Sequence, residues 1–319
     1  MCPDGTLPGM WVPIQILTTD ISYMKYGITG NTHKDSLWTP VAQTVTWLLS
    51  RNIPFCLHAD IAAGLAQRKL LDAALCAEHT EENLADSVDV LMSFGGDGTF
   101  LNTANEVGTR ATPILGVNIG RLGFLADIEV GLIQDAIECL ERGEYHVDHR
   151  MVLEARLDNG VPLGKPWALN DFVIQRTGDA RLMSVNITVD GEHLNVYWAD
   201  GLIIATPTGS TAYSLSSGGP IMVPGCGAMI LTPVAPHTLT VRPIVLPENA
   251  VIEAHVLNAH PDYVLAADGQ SMLVDGHVKV TVRRAEHTVN LIKLPGQHYF
   301  KTLRSKLMWG ARSYEPAGR

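Results

Sequence analysis

No stretch of the chain approaches the run of about 18 apolar residues that a bilayer-spanning helix needs. The N-terminus also lacks the basic segment and apolar core of a secretory leader. A soluble protein with no membrane partner is expected. Basic clusters are missing too: 23 Lys and Arg stand against 33 Asp and Glu, a net charge of −10, which is unsuited to a nucleic-acid partner. Any anionic ligand must be gripped locally, by backbone amides, a few basic side chains or a metal. Cysteine is sparse. Cys2, Cys56, Cys76, Cys139 and Cys226 are scattered with no pair at metal or redox spacing, which gives neither a zinc site nor a disulfide framework and fits a reducing, cytoplasmic setting. Two nucleotide fingerprints are also absent: no G-x-G-x-x-G follows the first strand and no G-x-x-x-x-G-K-[ST] occurs. A dehydrogenase and a P-loop enzyme are both disfavoured.

What is present changes its grammar part-way along 319 residues, a length beyond the roughly 250–300 residues at which single cores stop growing. Residues 1–23 carry three prolines and no sustained periodicity. They are expected to be an extension, with folding, and translation itself, starting at Met24. Over residues 24–144 strands alternate with helices. An opening strand leads to a helix capped by Asp35 or Ser36, with Val41, Val45, Leu48 and Leu49 on one face. Residues 53–57, 88–94 and 113–117 read as strands, and 61–75 and 130–142 as helices. The alternation predicts a Rossmann-like parallel sheet whose ligands sit at the carboxyl ends of its strands. Residues 145–296 read as closely spaced strands instead. Val185, Ile187 and Val189 alternate before a turn at Asp190-Gly191, and Val278, Val280 and Val282 do so after Asp275-Gly276, which predicts an all-β, mostly antiparallel domain. The tail, 297–319, returns to helix, with Leu303, Leu307 and Trp309 placed to pack on the first domain.

The first domain is organised around the apolar run 88–94, which feeds into Gly95-Gly96-Asp97-Gly98-Thr99 and then a helix. Glycine permits close approach of a phosphate, and the first amides of a helix lack intrahelical acceptors, so an anion can be taken there. The competing reading is a tight turn with Asp97 as a plain helix cap. A second glycine loop, Asn118 to Leu125, leaves the next strand. In the second domain Asn170-Asp171 is placed at a strand end, where an amide beside a carboxylate can read an adenine edge or a ribose diol, or simply form an Asx turn. Asp200-Gly201 opens the run DGLIIATPTGSTAYSLSSGGP, whose uncharged hydroxyls predict a polar, flexible binding loop. His146, His149 and His237 lack ligand spacing, so no fixed metal cage is expected.

GGDGT at 95–99, VNIGRLGFL from Val117, LND at 169–171, the run from Asp200, PHTLTVRP at 236–243 and LRSKLMWG near the end together resemble NAD kinase, in order over residues 24–310. The resemblance implies an ATP-dependent kinase that phosphorylates the 2′-hydroxyl of the adenosine ribose of NAD, giving NADP. It also implies Mg²⁺ with the ATP and a homodimer or homotetramer. It assigns Asp97 as the proton acceptor, with Gly98 and neighbouring amides cradling phosphates. The dinucleotide falls to Asn170, Asp171, Arg181, Asp200, Thr211, Ala212, Tyr213, Ser214, Leu215, Ser216, Ala235 and Gln270. Trp198 departs from the pattern, because many relatives carry Arg or His there and an indole cannot neutralise phosphate. Asp171 stands where relatives often have Glu. Two rival functions are a lipid or sugar kinase built on the same GGDGT turn and a catalytically silent NADP-binding regulator.

Overall fold

A computed structural model describes residues 23–120, 122–178, 182–258 and 262–308. Apart from Tyr23, the expected N-terminal extension lies outside these residues, as do Arg181 and Trp309.

In chain order the first half comprises β1 (Tyr26–Gly30), α1 (Trp38–Ser50), β2 (Phe55–His58), α2 (Ala59–Gln67), α3 (Ala73–Glu78), β3 (Thr80–Glu81), α4 (Leu84–Ser87), β4 (Val90–Gly95), α5 (Asp97–Val107), β5 (Ile114–Asn118), β6 (Ile128–Glu129) and α6 (Ile133–Glu141). Every residue of β4 and β5 is buried, as parallel strands with helices on both faces must be. All pairings among β1 to β6 are parallel. Three local expectations change. A 3-10 turn, Asp35–Leu37, leads into α1, and neither Asp35 nor Ser36 makes a cap. Leu49, one residue and about 100° of helix beyond buried Leu48, is exposed. The stretch read as one helix over 61–75 is two, because Lys69 turns left-handed (φ 55°) and the Asp72 carboxylate caps a new helix by accepting from the amides of Ala74 (2.8 Å) and Leu75 (3.2 Å).

The second half comprises β7 (His146–Leu157), β8 (Trp167–Ala168), β9 (Asp171–Arg176), β10 (Met183–Val189), β11 (Glu192–Ala199), β12 (Gly201–Ala205), α7 (Tyr213–Ser216), β13 (Ala228–Val234), β14 (Ile244–Pro247), β15 (Ile252–Val256), β16 (Asp262–Ala267), β17 (Gln270–Asp275), β18 (Val280–Lys293) and α8 (Tyr299–Leu307). The Asp190-Gly191 turn between β10 and β11 has φ of 52° and 82°, the positive pair that a two-residue hairpin requires. One antiparallel sheet runs β14-β13-β12-β9-β16-β17. The other continues the parallel sheet of the first half. Strand β18 pairs with β5 at Leu291 and Ile114, with β7 along its length, and with β15, so among the described residues one sheet reads β11-β10-β15-β18-β5-β4-β1-β2-β3.

After β18 the chain returns as α8 to the first half. Leu303 is buried there, while Leu307 is exposed rather than packed. No helix among the described residues is long and apolar enough to cross a membrane.

Candidate active site

Asp97 opens α5 behind Gly96 and makes no cap bond to its own helix, so the plain-cap reading fails. Its carboxylate reaches instead to the loop after β5. Phe124 N donates to Oδ2 at 3.0 Å, and Leu125 N and Ala126 N donate to Oδ1 at 2.9 and 3.2 Å. From α8 the Lys306 ammonium donates to Oδ2 at 3.1 Å. Burial pushes this carboxyl up, but the three amides and Lys306 outweigh it and hold the group below its ordinary value. Asp97 is therefore an anion at neutral pH. Gly123 makes the approach feasible, since a Cβ there would stand 2.0 Å from Asp97 Oδ1. At Gly96 and Gly98 a Cβ would meet nothing within 4 Å, so open space lies beside these glycines.

Asn170 lies between β8 and β9 and Asp171 is the first residue of β9, so the pair opens a strand rather than ends one. The amides of Leu169, Asn170 and Asp171 all donate to the Asp268 carboxylate, at 2.9, 2.7 and 3.3 Å, and Lys165 Nζ joins them at 3.0 Å. Asp268 sits with Gly269 in the positive-φ turn between β16 and β17, two residues before Gln270. Sequence reasoning missed both Asp268 and Lys165. The Asp-Gly dipeptide between two apolar runs was the available signal, but it marks a turn and not the buried carboxylate. Asp171 itself is 5 % exposed. Burial, with the repulsion of Asp268, pushes its carboxyl up to about 7.

The hydroxyl-rich segment is not the pliable loop expected. Thr206 Oγ1 donates to Leu169 O (2.6 Å), Ser210 Oγ donates to Pro207 O (2.6 Å) and accepts from Met222 N (2.9 Å), Arg150 Nη1 donates to Thr208 Oγ1 (3.2 Å), and Ser214 Oγ pairs with Thr232 Oγ1 (2.9 Å). These four hydroxyls are buried and spent on the protein itself. Tyr213 and Ser216 are exposed, and Thr211, Ala212 and Leu215 half-buried. A Cβ on Gly209 would come 2.0 Å from Asn170 O, so the segment lies directly against Asn170.

These pieces converge. Phe100 of α5, Leu125 of the loop that binds Asp97, and Leu169 before Asn170 share one buried cluster. Helix α8 ties the same parts together: the Tyr299 ring lies 6.3 Å from that of Phe124, its hydroxyl donates to Met222 O at 3.3 Å, and Lys306 reaches Asp97. Asp200 and Ala235 stand apart. Asp200 pairs with Arg176 (Nε to Oδ1, 2.8 Å), and its amide donates to Val234 O. Asp171 faces Ala205 at the other end of β12, which puts Asp200 roughly 16 Å from it at about 3.3 Å per residue. A cavity of about 740 Å³ adjoins Phe124 and Tyr299, lined also by the ion pairs Lys293–Asp127 and Arg150–Asp148; of the glycine loops and site residues singled out above, only Phe124 faces it. No group of three or more His, Cys, Asp or Glu able to hold a metal occurs among the described residues.

Two family models match: ATP-NAD kinase N-terminal domain over residues 26–145 and ATP-NAD kinase C-terminal domain over residues 169–294. The NAD kinase of Bacteroides fragilis is 39 % identical over 91 % of this chain and 99 % of its own. The chain belongs to the NAD kinase family. The NAD kinase of Gemmatimonas aurantiaca is 44 % identical over 74 % of this chain and 83 % of its own. Among solved structures, yeast NADH kinase complexed with NADH superposes with a TM-score of 0.82, covering 92 % of this chain and 90 % of that one. An NAD kinase from Archaeoglobus fulgidus in complex with ATP superposes with a TM-score of 0.69, covering 89 % and 99 %. At 24 % identity each, these two establish the NAD kinase fold. The reaction of an NAD kinase is phosphorylation of NAD to NADP. The departure at Trp198 is a surface one, since this NAD kinase leaves the indole 54 % exposed on β11.

Proposed function

We propose that this NAD kinase moves the terminal phosphoryl group of ATP to the 2′-hydroxyl of the adenosine ribose, with Asp97 as the proton acceptor. The observation that carries this reading is a carboxylate fixed by three amides, beside glycines open to space, on a helix and loop whose Phe100 and Leu125 share one buried cluster with Leu169, the residue before Asn170. An anion so stabilised is a weak base. That suffices where the transition state is loose and the proton leaves late, and orientation and electrostatics supply most of the acceleration. Gly98 and its neighbours would cradle phosphates. The dinucleotide would lie along Asn170, Asp171, Gln270 and the segment Thr211, Ala212, Tyr213, Ser214, Leu215 and Ser216. Arg181 would meet its phosphates. Ser214 would act through its backbone, because its hydroxyl is engaged by Thr232. Asp97→Asn is expected to keep NAD binding, read by calorimetry, while turnover falls by orders of magnitude; a near-wild-type rate would remove Asp97 from the mechanism.

A triphosphate beside Asp97 and Asp171 calls for a divalent cation on charge grounds. With no protein cage for one among the described residues, Mg²⁺ would come held on the phosphates of ATP. Chelation should abolish turnover, and added Mg²⁺ should restore it, while calorimetric NAD binding persists. Asp200 and Ala235, remote from Asp171 within one chain and close in sequence to exposed Trp198 and Leu239, would serve the site of a neighbouring copy in a homodimer or homotetramer. Sedimentation of the ligand-free protein tests that assembly.

A further inference from the structure

Helix α8 carries Tyr299, Leu303 and Lys306 at the i, i+4, i+7 spacing of one helical face. All three contact the body of the protein: Tyr299 meets Phe124 and Met222, Leu303 is the buried anchor, and Lys306 meets Asp97. The Lys306 ammonium also lies 4.9 Å from the centre of the Phe124 ring. Phe124 thus holds both ends of the contact, its amide donating to Asp97 Oδ2 and its ring facing the cation. A lysine in the last turn of a helix can serve merely as a partner of the helix dipole. Arg304, in the same turn, already fills that role, and it makes no ion pair among the described residues.

We propose that Lys306 is a catalytic residue, whose ammonium bridges Asp97 and the phosphoryl group in flight. This rests on Asp97 as proton acceptor. In the reaction a bond forms from the ribose oxygen to phosphorus and the bond from phosphorus to the ADP oxygen breaks, ADP leaving with the electron pair. The hydroxyl proton passes to Asp97. Lys306 transfers nothing; its charge offsets the negative oxygens of the phosphoryl group and keeps Asp97 ionised. The ammonium has donors to spare for this, since it carries three and Asp97 takes one. Two nearby carboxylates are already paired with other cations: Asp127, the residue after Ala126, with Lys293 of β18, and Asp148 with Arg150 on β7.

The test measures kcat and KM against pH, with saturating ATP and Mg²⁺, for the wild type, Lys306→Met, Lys306→Arg and the control Arg304→Met. Lys306→Met should lose roughly 10²–10³-fold in kcat, with KM for NAD little changed and the acid limb of the pH profile displaced upward, because Asp97 has lost its cation. Lys306→Arg should recover much of the rate, and Arg304→Met should match the wild type. A Lys306→Met enzyme with wild-type kcat and an unmoved acid limb overturns the proposal, and so does a faster one, in which Lys306 would be a latch. Lys306→Ala with added methylamine gives a second route: turnover that rises and saturates with the amine supports the role, and no rise overturns it. Asp97→Asn separates the two ideas. If that variant is active, the reading of Asp97 itself fails; if it is dead while Lys306→Met is normal, only the role of Lys306 fails.

Discussion

Folding takes the Asp171 carboxyl out of water and sets it near Asp268, and both effects raise its pKa to about 7 from 3.8. Between those values the folded chain holds a proton that the unfolded chain has released. The contribution to stability is therefore fully present below about pH 4 and is lost as the pH rises through about 7, a penalty on the order of a few kcal/mol. Asp171→Asn removes the titration. Its advantage over the wild type in urea unfolding should grow across that window and level off above it; a difference independent of pH would show that the carboxyl is not desolvated. A second residue, Gly123, is set by contact. Its added Cβ would meet Asp97 Oδ1 at 2.0 Å and Ala126 O at 3.1 Å, so the carboxylate must shift away from its three amides. Gly123→Ala should cost about 1–3 kcal/mol in thermal unfolding and up to about 10²-fold in kcat. An unchanged kcat would mean that the position of Asp97 does not govern the rate.

Among the elements, the turn from Thr206 to Ser216 is where inward and outward hydroxyls divide. Ser210 bonds Pro207 and Met222 and is fully buried. Removing its Oγ leaves the part-buried amide of Met222 without its acceptor, so Ser210→Ala should destabilise by about 1–3 kcal/mol in urea unfolding while KM for NAD stays near that of the wild type. A raised KM at unchanged stability would place the hydroxyl on the ligand instead. The sequence could not divide these groups, because a serine that binds a ligand and one that ties a turn are the same residue in the same kind of segment. Regular elements were easier to read. The apolar runs of β4 and β5 and the Asp190-Gly191 turn each carry a local pattern that only one structure satisfies. The break between α2 and α3 was harder, because apolar periodicity runs straight through it and only the Asp72 cap marks the restart. Long-range partners leave no local trace at all: Asp268 is 98 residues from Asn170, and Lys306 is 209 from Asp97. Spacing rules have no purchase at such separations, although the side chains themselves stood in plain view.

For the whole molecule, the decisive strand is β18. Val280 and Val282 lie in the core of the β-rich half, Ile292 in the core of the α/β half, and Val289 and Leu291 in the cluster that also holds Phe100, Leu125 and Leu169. One strand thus fastens three cores, and its pairing with β5 makes the sheet continuous across both halves. Two-domain chains commonly unfold in separable steps. Here, however, neither half can release β18 without uncovering apolar side chains in the other. A single cooperative transition is expected by calorimetry, with the calorimetric and van't Hoff enthalpies equal. Val282→Ala, at a fully buried site in the core of the β-rich half, should then cost about 2 kcal/mol and lower the midpoint of the entire transition, although β18 pairs with β5 only further along, at Leu291. Two resolved transitions, of which only one moves in that variant, would mean that the shared strand does not couple the halves, and that the site between them can open without global unfolding.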